Sequence, residues 1–303
     1  LAPAAVGGWL ASEPAAAALS GIMRLDLCAC VGVTDDVLLR LPTSLRALDV
    51  RDCKELTGAA SFVHLAALAV LDCSQTWVVS ERTDGLPPSL RELNIRKMAA
   101  LCTRASLAHL GQLRVLRADR SKLGTVMLPP SLEELHAVNY WGQTPVASFA
   151  RLTALRTLDV AESDFNDASL LAGLPPSLVS LDARECKMLT RAAVLPHLPA
   201  LQFLDVSGTA IGDALVAALP ASLLELRLTG CPNVTAGARL DHVPALRILH
   251  CLATELSPAA LAGCRTRGCV VPAVRQLRGH GRLVNALAVL GDDRLASGES
   301  GGA

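Results

Sequence analysis

Histidine and cysteine are the residues of this chain that could hold a metal or shuttle a proton, and there are seven of the first and ten of the second. Structural zinc asks for ligands in closely spaced pairs. Cys28-x-Cys30 together with Cys53 comes nearest, but it lacks the second pair, so no metal is expected. A general acid–base pair asks for two titratable groups within hydrogen-bond reach of one reacting centre. His64, His109, His197 and His242 each stand four residues before a recurring aliphatic and so occupy one repeated structural position. His136 and His250 each lie four residues after such an aliphatic, but five repeats separate them, about 24 Å at strand spacing. No Gly-rich phosphate loop, His-Glu-x-x-His or nucleophile elbow occurs. The reading is therefore a chain that is not an enzyme, with no catalytic residues and no cofactor.

Binding chemistry is better represented. The residue four after each recurring aliphatic is Asp26, Asp49, Asp72, Asn94, Arg117, His136, Asp159, Asp182, Asp205, Arg227 and His250. The aspartates read as a habit of the repeat, solvated and balanced by neighbours such as Arg51 and Arg184. The middle of the row departs from that habit, and basic residues gather there. Tyr140, the only tyrosine, and Trp141 fall in the same stretch. Arg, Tyr and Trp are the side chains that most often anchor interfaces. Arg91, Arg96, Arg114, Arg117, His136, Tyr140 and Trp141 are thus the expected partner-binding patch, for a protein of acidic or mixed charge. The competing reading is repeat drift that leaves a solvated basic patch. Lys and Arg together number 28, as do Asp and Glu, so nothing calls for long-range attraction to nucleic acid or an anionic membrane. No nucleic acid, no membrane insertion and a monomer are expected.

The elements that position these residues follow from the aliphatics themselves. The anchors are Ile22, Leu45, Leu68, Leu90, Leu113, Leu132, Leu155, Leu178, Leu201, Leu223 and Leu246. Successive anchors are 23 apart, except for 22 before Leu90 and Leu223 and 19 before Leu132. A period of that size marks a solenoid whose units bury their apolar edges against their neighbours. In Leu45-Arg-Ala-Leu48-Asp-Val50 the residues Leu48 and Val50 share one face of a strand while Asp49 takes the other. Stacked units then give a parallel sheet with leucines inside and variable residues outside. With 3% aromatic residues, the core has to be aliphatic.

Eight residues after each anchor stands, in most units, a small residue with a donor, such as Cys53, Thr76 or Ser121, to serve carbonyls in a buried turn. Met98 and Tyr140 break that rule. The return segments alternate. One kind ends in Leu-Pro-x-Ser before Leu45, Leu90, Leu132, Leu178 and Leu223. The other contains Thr57, Thr103, Thr144, Thr190 or Thr235, each read as the N-cap of a short helix. The true period is a pair of units. Leu256–Val271 reads as a final cap. Cysteines that obey the period read as buried structural thiols, which places the chain in a reducing, intracellular and cytoplasmic compartment. The expected organisation is 1–21 as an N-terminal cap or partial repeat, 22–271 as the solenoid with its C-terminal cap, and 272–303 as a linker and further segment.

These units resemble leucine-rich repeats over roughly residues 20–271. The resemblance implies an α/β horseshoe solenoid, with a parallel sheet on the concave face and short helices and loops on the convex face. Leu-Pro-Pro-Ser-Leu with Cys at the turn resembles the kinetoplastid branch of that family, whose members carry an adenylate cyclase regulator label. Leu277-Arg-Gly279-His280, Val284-Asn-Ala-Leu287-Ala-Val289 and Arg294-Leu295-Ala-Ser297-Gly298 resemble the opening of a WD repeat. His280 and Ser297 match positions with a structural role in that family. A half-blade cannot close a propeller, so 275–303 are expected to be poorly ordered, and the chain, which starts at Leu1, is expected to be a fragment. Function then reads as a non-catalytic protein-interaction scaffold binding on the concave face. The alternative is a regulatory module, of an adenylate cyclase or as a ubiquitin-ligase adaptor, for a catalytic part outside this sequence.

Overall fold

The computed structural model describes residues 19–78, 83–98, 106–121, 127–139, 147–272, 284–290 and 294–299. The chain forms two compact units, Leu1–Val271 and Pro272–Ala303. The first is built on one sheet of eleven three-residue strands: β1 Arg24–Asp26, β2 Ala47–Asp49, β3 Val70–Asp72, β4 Glu92–Asn94, β5 Val115–Arg117, β6 Glu134–His136, β7 Thr157–Asp159, β8 Ser180–Asp182, β9 Phe203–Asp205, β10 Glu225–Arg227 and β11 Ile248–His250. Every strand pairs in parallel with its sequence neighbour. The register aligns the same repeat position throughout, as in Leu48↔Leu71, Leu116↔Leu135 and Leu226↔Leu249. The short 19-residue step leaves the Leu116↔Leu135 register intact, so the missing four residues come out of the return segment.

The core is the set of anchors and the third and fifth residues after them, almost all of them buried. The two end units are looser, with Ile22 and Leu25 in the first and Cys251 in the last partly buried. After each strand the chain turns through a left-handed residue seven positions past the anchor. Nine of these are not glycine, among them Ala29, Gln75, Glu162 and Glu185 with φ of 55–60°. Gly208 and Gly230 complete the column with φ of 69° and 71°.

The residue after that turn carries the expected donor. Cys53, Ser121, Ser163, Cys186 and Cys231 reach back one unit, to the carbonyls of Leu27, Ile95, Ala137, Val160 and Val206. Threonines in the same place serve their own unit instead, as Thr76 does Cys73 and Thr209 does Val206. Met98 has no donor to offer, and the next unit compensates: Ser121 Oγ takes the Met98 N–H and gives its own proton to Ile95. The Leu-Pro-x-Ser segments have a comparable job. Ser44, Ser89, Ser131, Ser177 and Ser222 each donate to the carbonyl of the preceding anchor, at 2.7–2.9 Å.

In three returns the helix does not stand where the threonine predicts. Residues following Thr57, Thr190 and Thr235 form turns, whereas Asp35–Leu38, Asp167–Leu170 and Asp213–Ala217 are helical and precede the Leu-Pro-x-Ser segments. Thr103 and Thr144 lie outside the described residues; Ala147–Ala150 is helical. The reason is a contact one unit away. Thr57, Thr190 and Thr235 each give both backbone N–H and hydroxyl to the carboxylate of Asp35, Asp167 or Asp213. Each threonine oxygen accepts the N–H two residues on, a turn rather than a helix cap. In these three places the paired period has a physical basis: a helical return with Asp is followed by a turn return with Thr.

At the far edge, Ser257 caps the helix Pro258–Thr266, and Val270 bridges the outer edge of β11 opposite Ile248, accepting from Leu249 N–H and donating to Arg247 C=O. In the second unit, β12 Val284–Leu290 and β13 Arg294–Glu299 pair antiparallel with an irregularity between Val284 and Ala286. His280 and the rest of 275–303 lie outside the described residues.

Candidate functional site

The open face of the sheet carries the second and fourth residues after each anchor. The aspartates of the fourth-position row are more than solvated charge. Asp26, Asp49, Asp72, Asp159, Asp182 and Asp205 each accept, through Oδ1, the N–H two residues on. Asn94 does the same for Arg96. The carboxylate therefore closes the bend where the strand ends, an Asx turn. Asp205 is only 4% exposed, which corrects the solvated reading.

Stacking like charges in register moves their protonation. Burial, reinforced by the charges of Asp159 and Asp205, pushes Asp182 up to about 6 against the pull of Arg184. Burial likewise raises Asp49, with Asp72 and Asp26 adding to it and Arg51 opposing. In Asp159 burial acts upward too, but His136, the Ala161 N–H and Arg184 outweigh it and hold the carboxyl below its usual value.

Arg117, His136, Arg227 and His250 stand in the same row without the turn-closing carboxylate. Asn94, Arg117 and His136 are register partners on β4, β5 and β6. His136 lies 3.9 Å from Glu134 and 3.7 Å from Asp159. Arg227 pairs with Glu225, and its guanidinium is 5.1 Å from the centre of the Phe203 ring. Arg96 pairs with Asp119 and Arg114 with Glu133. Arg91 and Arg117 have neither an ion pair nor a side-chain hydrogen bond among the described residues. Arg91 and Arg114 border a depression of about 390 Å³ together with Gln112, Ser131 and Glu133. Five of the seven expected binding residues are thus on or beside β4–β6, but two of the arginines are neutralised in place. Tyr140 and Trp141 lie outside the described residues.

The cysteines fit structural thiols. Nine described cysteines are unpaired; burial pushes Cys53, Cys186 and Cys269 up to about 11. Among the described residues no group of three or more His, Cys, Asp or Glu is placed to hold a metal. No described helix is long and apolar enough to cross a membrane.

The in-register parallel sheet, aliphatic core and short returns define a leucine-rich-repeat solenoid. Solved structures of the same architecture are an internalin (inlF) from Listeria monocytogenes str. 4b F2365, with TM-score 0.50 and 16% identity over 84% of this chain and 81% of that one. The functional domain of InlJ from Listeria monocytogenes, which includes a cysteine ladder, matches with TM-score 0.57 and 19% identity over 78% of this chain. The match spans 50% of that InlJ chain. A chain of the octameric complex of Latrophilin 3 (Lec, Olf), Unc5D (Ig, Ig2, TSP1) and FLRT2 (LRR) matches with TM-score 0.53 and 14% identity, over 77% of this chain and 84% of that one. No family model and no curated protein matches the sequence. The likeness is one of fold.

Proposed function

We propose that the chain is a non-catalytic protein-interaction scaffold that binds its partner on the open, concave face of the sheet. The observation that carries this reading is Arg117, a half-buried guanidinium in the middle of that face with no partner of its own among the described residues. A charge held there without a counter-ion favours a partner that supplies one. His136 is its register partner on the next strand, and Arg91, Arg96, Arg114, Tyr140 and Trp141 complete the proposed patch. In keeping with it, a leucine-rich-repeat chain of similar fold sits in the Latrophilin 3–Unc5D–FLRT2 complex. The partner is a protein of acidic or mixed charge, the chain itself is monomeric and cytoplasmic, and single-stranded nucleic acid is not bound.

Two finer readings belong to the proposal. The Leu-Pro-x-Ser-Leu units are of the kinetoplastid type, and the segment around β12 and β13, with its antiparallel pairing, opens a WD repeat. The test of the main reading is affinity capture with the intact protein, followed by Arg117→Ala combined with Tyr140→Ala. Capture should weaken at least tenfold while the thermal midpoint stays within the parent's error. Unchanged capture overturns it.

A further inference from the structure

The charges along the fourth-position row are not uniformly answered. On the C-terminal side each aspartate has a basic side chain at hand: the His136 imidazole for Asp159, Arg184 for Asp182 and Arg227 for Asp205. On the N-terminal side only Asp49 does, through Arg51 at 3.1 Å. Asp26 has the Cys28 N–H, and Asp72 has Ser74 and Asn94 Nδ2. Neither has an ion pair among the described residues. These three carboxylates border an open cavity of about 410 Å³ whose remaining lining is Leu25, Ala47, Leu48, Val70 and one cation, Arg24, which the carboxylates outnumber. Arg117, unpaired, stands two strands beyond Asp72 in the same register. Unanswered negative and positive charges thus follow one another along a single exposed row.

Resting on the reading that this face binds a partner, we propose that the partner is an extended segment with a basic side chain over Asp26, Asp49 and Asp72 and an acidic side chain over Arg117. The basic group is Lys or Arg rather than a bare cation. Stacked strands hold the carboxylates side by side, about 4.8 Å apart, instead of converging them on one point. Ala47 and Val70 beside them suit the methylene stem that a long basic side chain lays on apolar surface. Asp49 lies three strands from Arg117, about 14 Å at sheet spacing, and an extended chain covers that in about four residues with both side chains on one face. The segment therefore crosses the strands with opposite charges four positions apart, and its polarity along the solenoid is fixed. Uniform charge meets like charge at one end, and reversed charge meets it at both.

The experiment is a random 12-residue peptide display panned on the full chain, with enriched peptides then titrated against Arg117→Glu and Asp49→Asn. Asn at position 49 retains the oxygen that accepts the Arg51 N–H, and thermal melts verify that both variants stay folded. Enriched peptides should carry Lys or Arg four residues from Asp or Glu, and each variant should weaken their capture at least tenfold. Peptides with acidic residues alone, captured through Arg117 and indifferent to Asp49→Asn, would overturn the mixed-charge pattern while leaving the binding face standing. Enrichment without charge pairing and indifferent to Arg117→Glu, or no enrichment at all, would overturn both.

Discussion

Gln75 illustrates how single positions here work against their own preference. It holds φ of 60° without glycine's freedom and without a side-chain hydrogen bond among the described residues. A left-handed backbone costs an L-residue roughly 1 kcal/mol, partly offset by glycine's larger unfolded-state entropy. Gln75→Gly is expected to raise the urea midpoint slightly, and Gln75→Val to lower it by about 1 kcal/mol of stability. Asp182 gives a pH-dependent case. Its carboxyl holds a proton more tightly folded, up to about 6, than at its ordinary value of 3.8. Its contribution is therefore favourable at low pH and lost as pH rises through about 6, because ionising it in place costs more than ionising it unfolded. Asp182→Asn should gain on the order of 3 kcal/mol of stability relative to the parent between roughly pH 4 and pH 7. Thermal melts of both proteins across that range measure it, and a gain that shrinks with rising pH contradicts the assignment. Much at this scale was hidden in the sequence. Only Gly208 and Gly230, with Asn139 and Asp52, hint at the left-handed column; Ala29 or Glu162 does not, because tertiary stacking overrides local preference there. The turn-closing role of the aspartates was hidden for a different reason: in sequence it looks the same as a solvated charge.

At the level of elements, the strands and their register were legible because anchor, third and fifth positions recur in nearly every unit. The helices were not, since a threonine before alanines reads locally as a cap while its real acceptor sits 22 or 23 residues upstream. The fourth-position row lies on the open face, as the alternation along each strand implies, but the neutralising partners Asp119 and Glu133 of Arg96 and Arg114 have no signature in the sequence. They lie on neighbouring units, and no spacing rule within one unit points to them. Removing one carboxylate tests the inter-unit brace. Asp167→Ala deletes both bonds to Thr190 and is expected to cost about 2 kcal/mol, with Asp167→Asn recovering part of it. Ser177→Ala removes one donor from the Leu155 carbonyl and should cost about 1 kcal/mol. Equilibrium urea unfolding reads both.

As a molecule, the solenoid has no centre: each unit touches only those beside it, so stability is nearly a sum over neighbours. Leu158, fully buried in the middle of the sheet, should cost 2–5 kcal/mol as Leu158→Ala. Its effect on amide exchange should be largest in β6–β8 and fade toward both ends. The alternation of aspartate-bearing and threonine-bearing returns also sets the grain at which such an array can lengthen or shrink. Excising residues 178–222 brings Asp167 beside Thr235, and the seam is remade with its hydrogen bonds in place. Excising residues 178–200 alone brings Asp167 beside Asp213, two carboxylates facing each other with no donor between them. Descent by duplication would then proceed two units at a time, and the gain or loss of a single unit at such a seam would be weeded out by electrostatic repulsion at the splice.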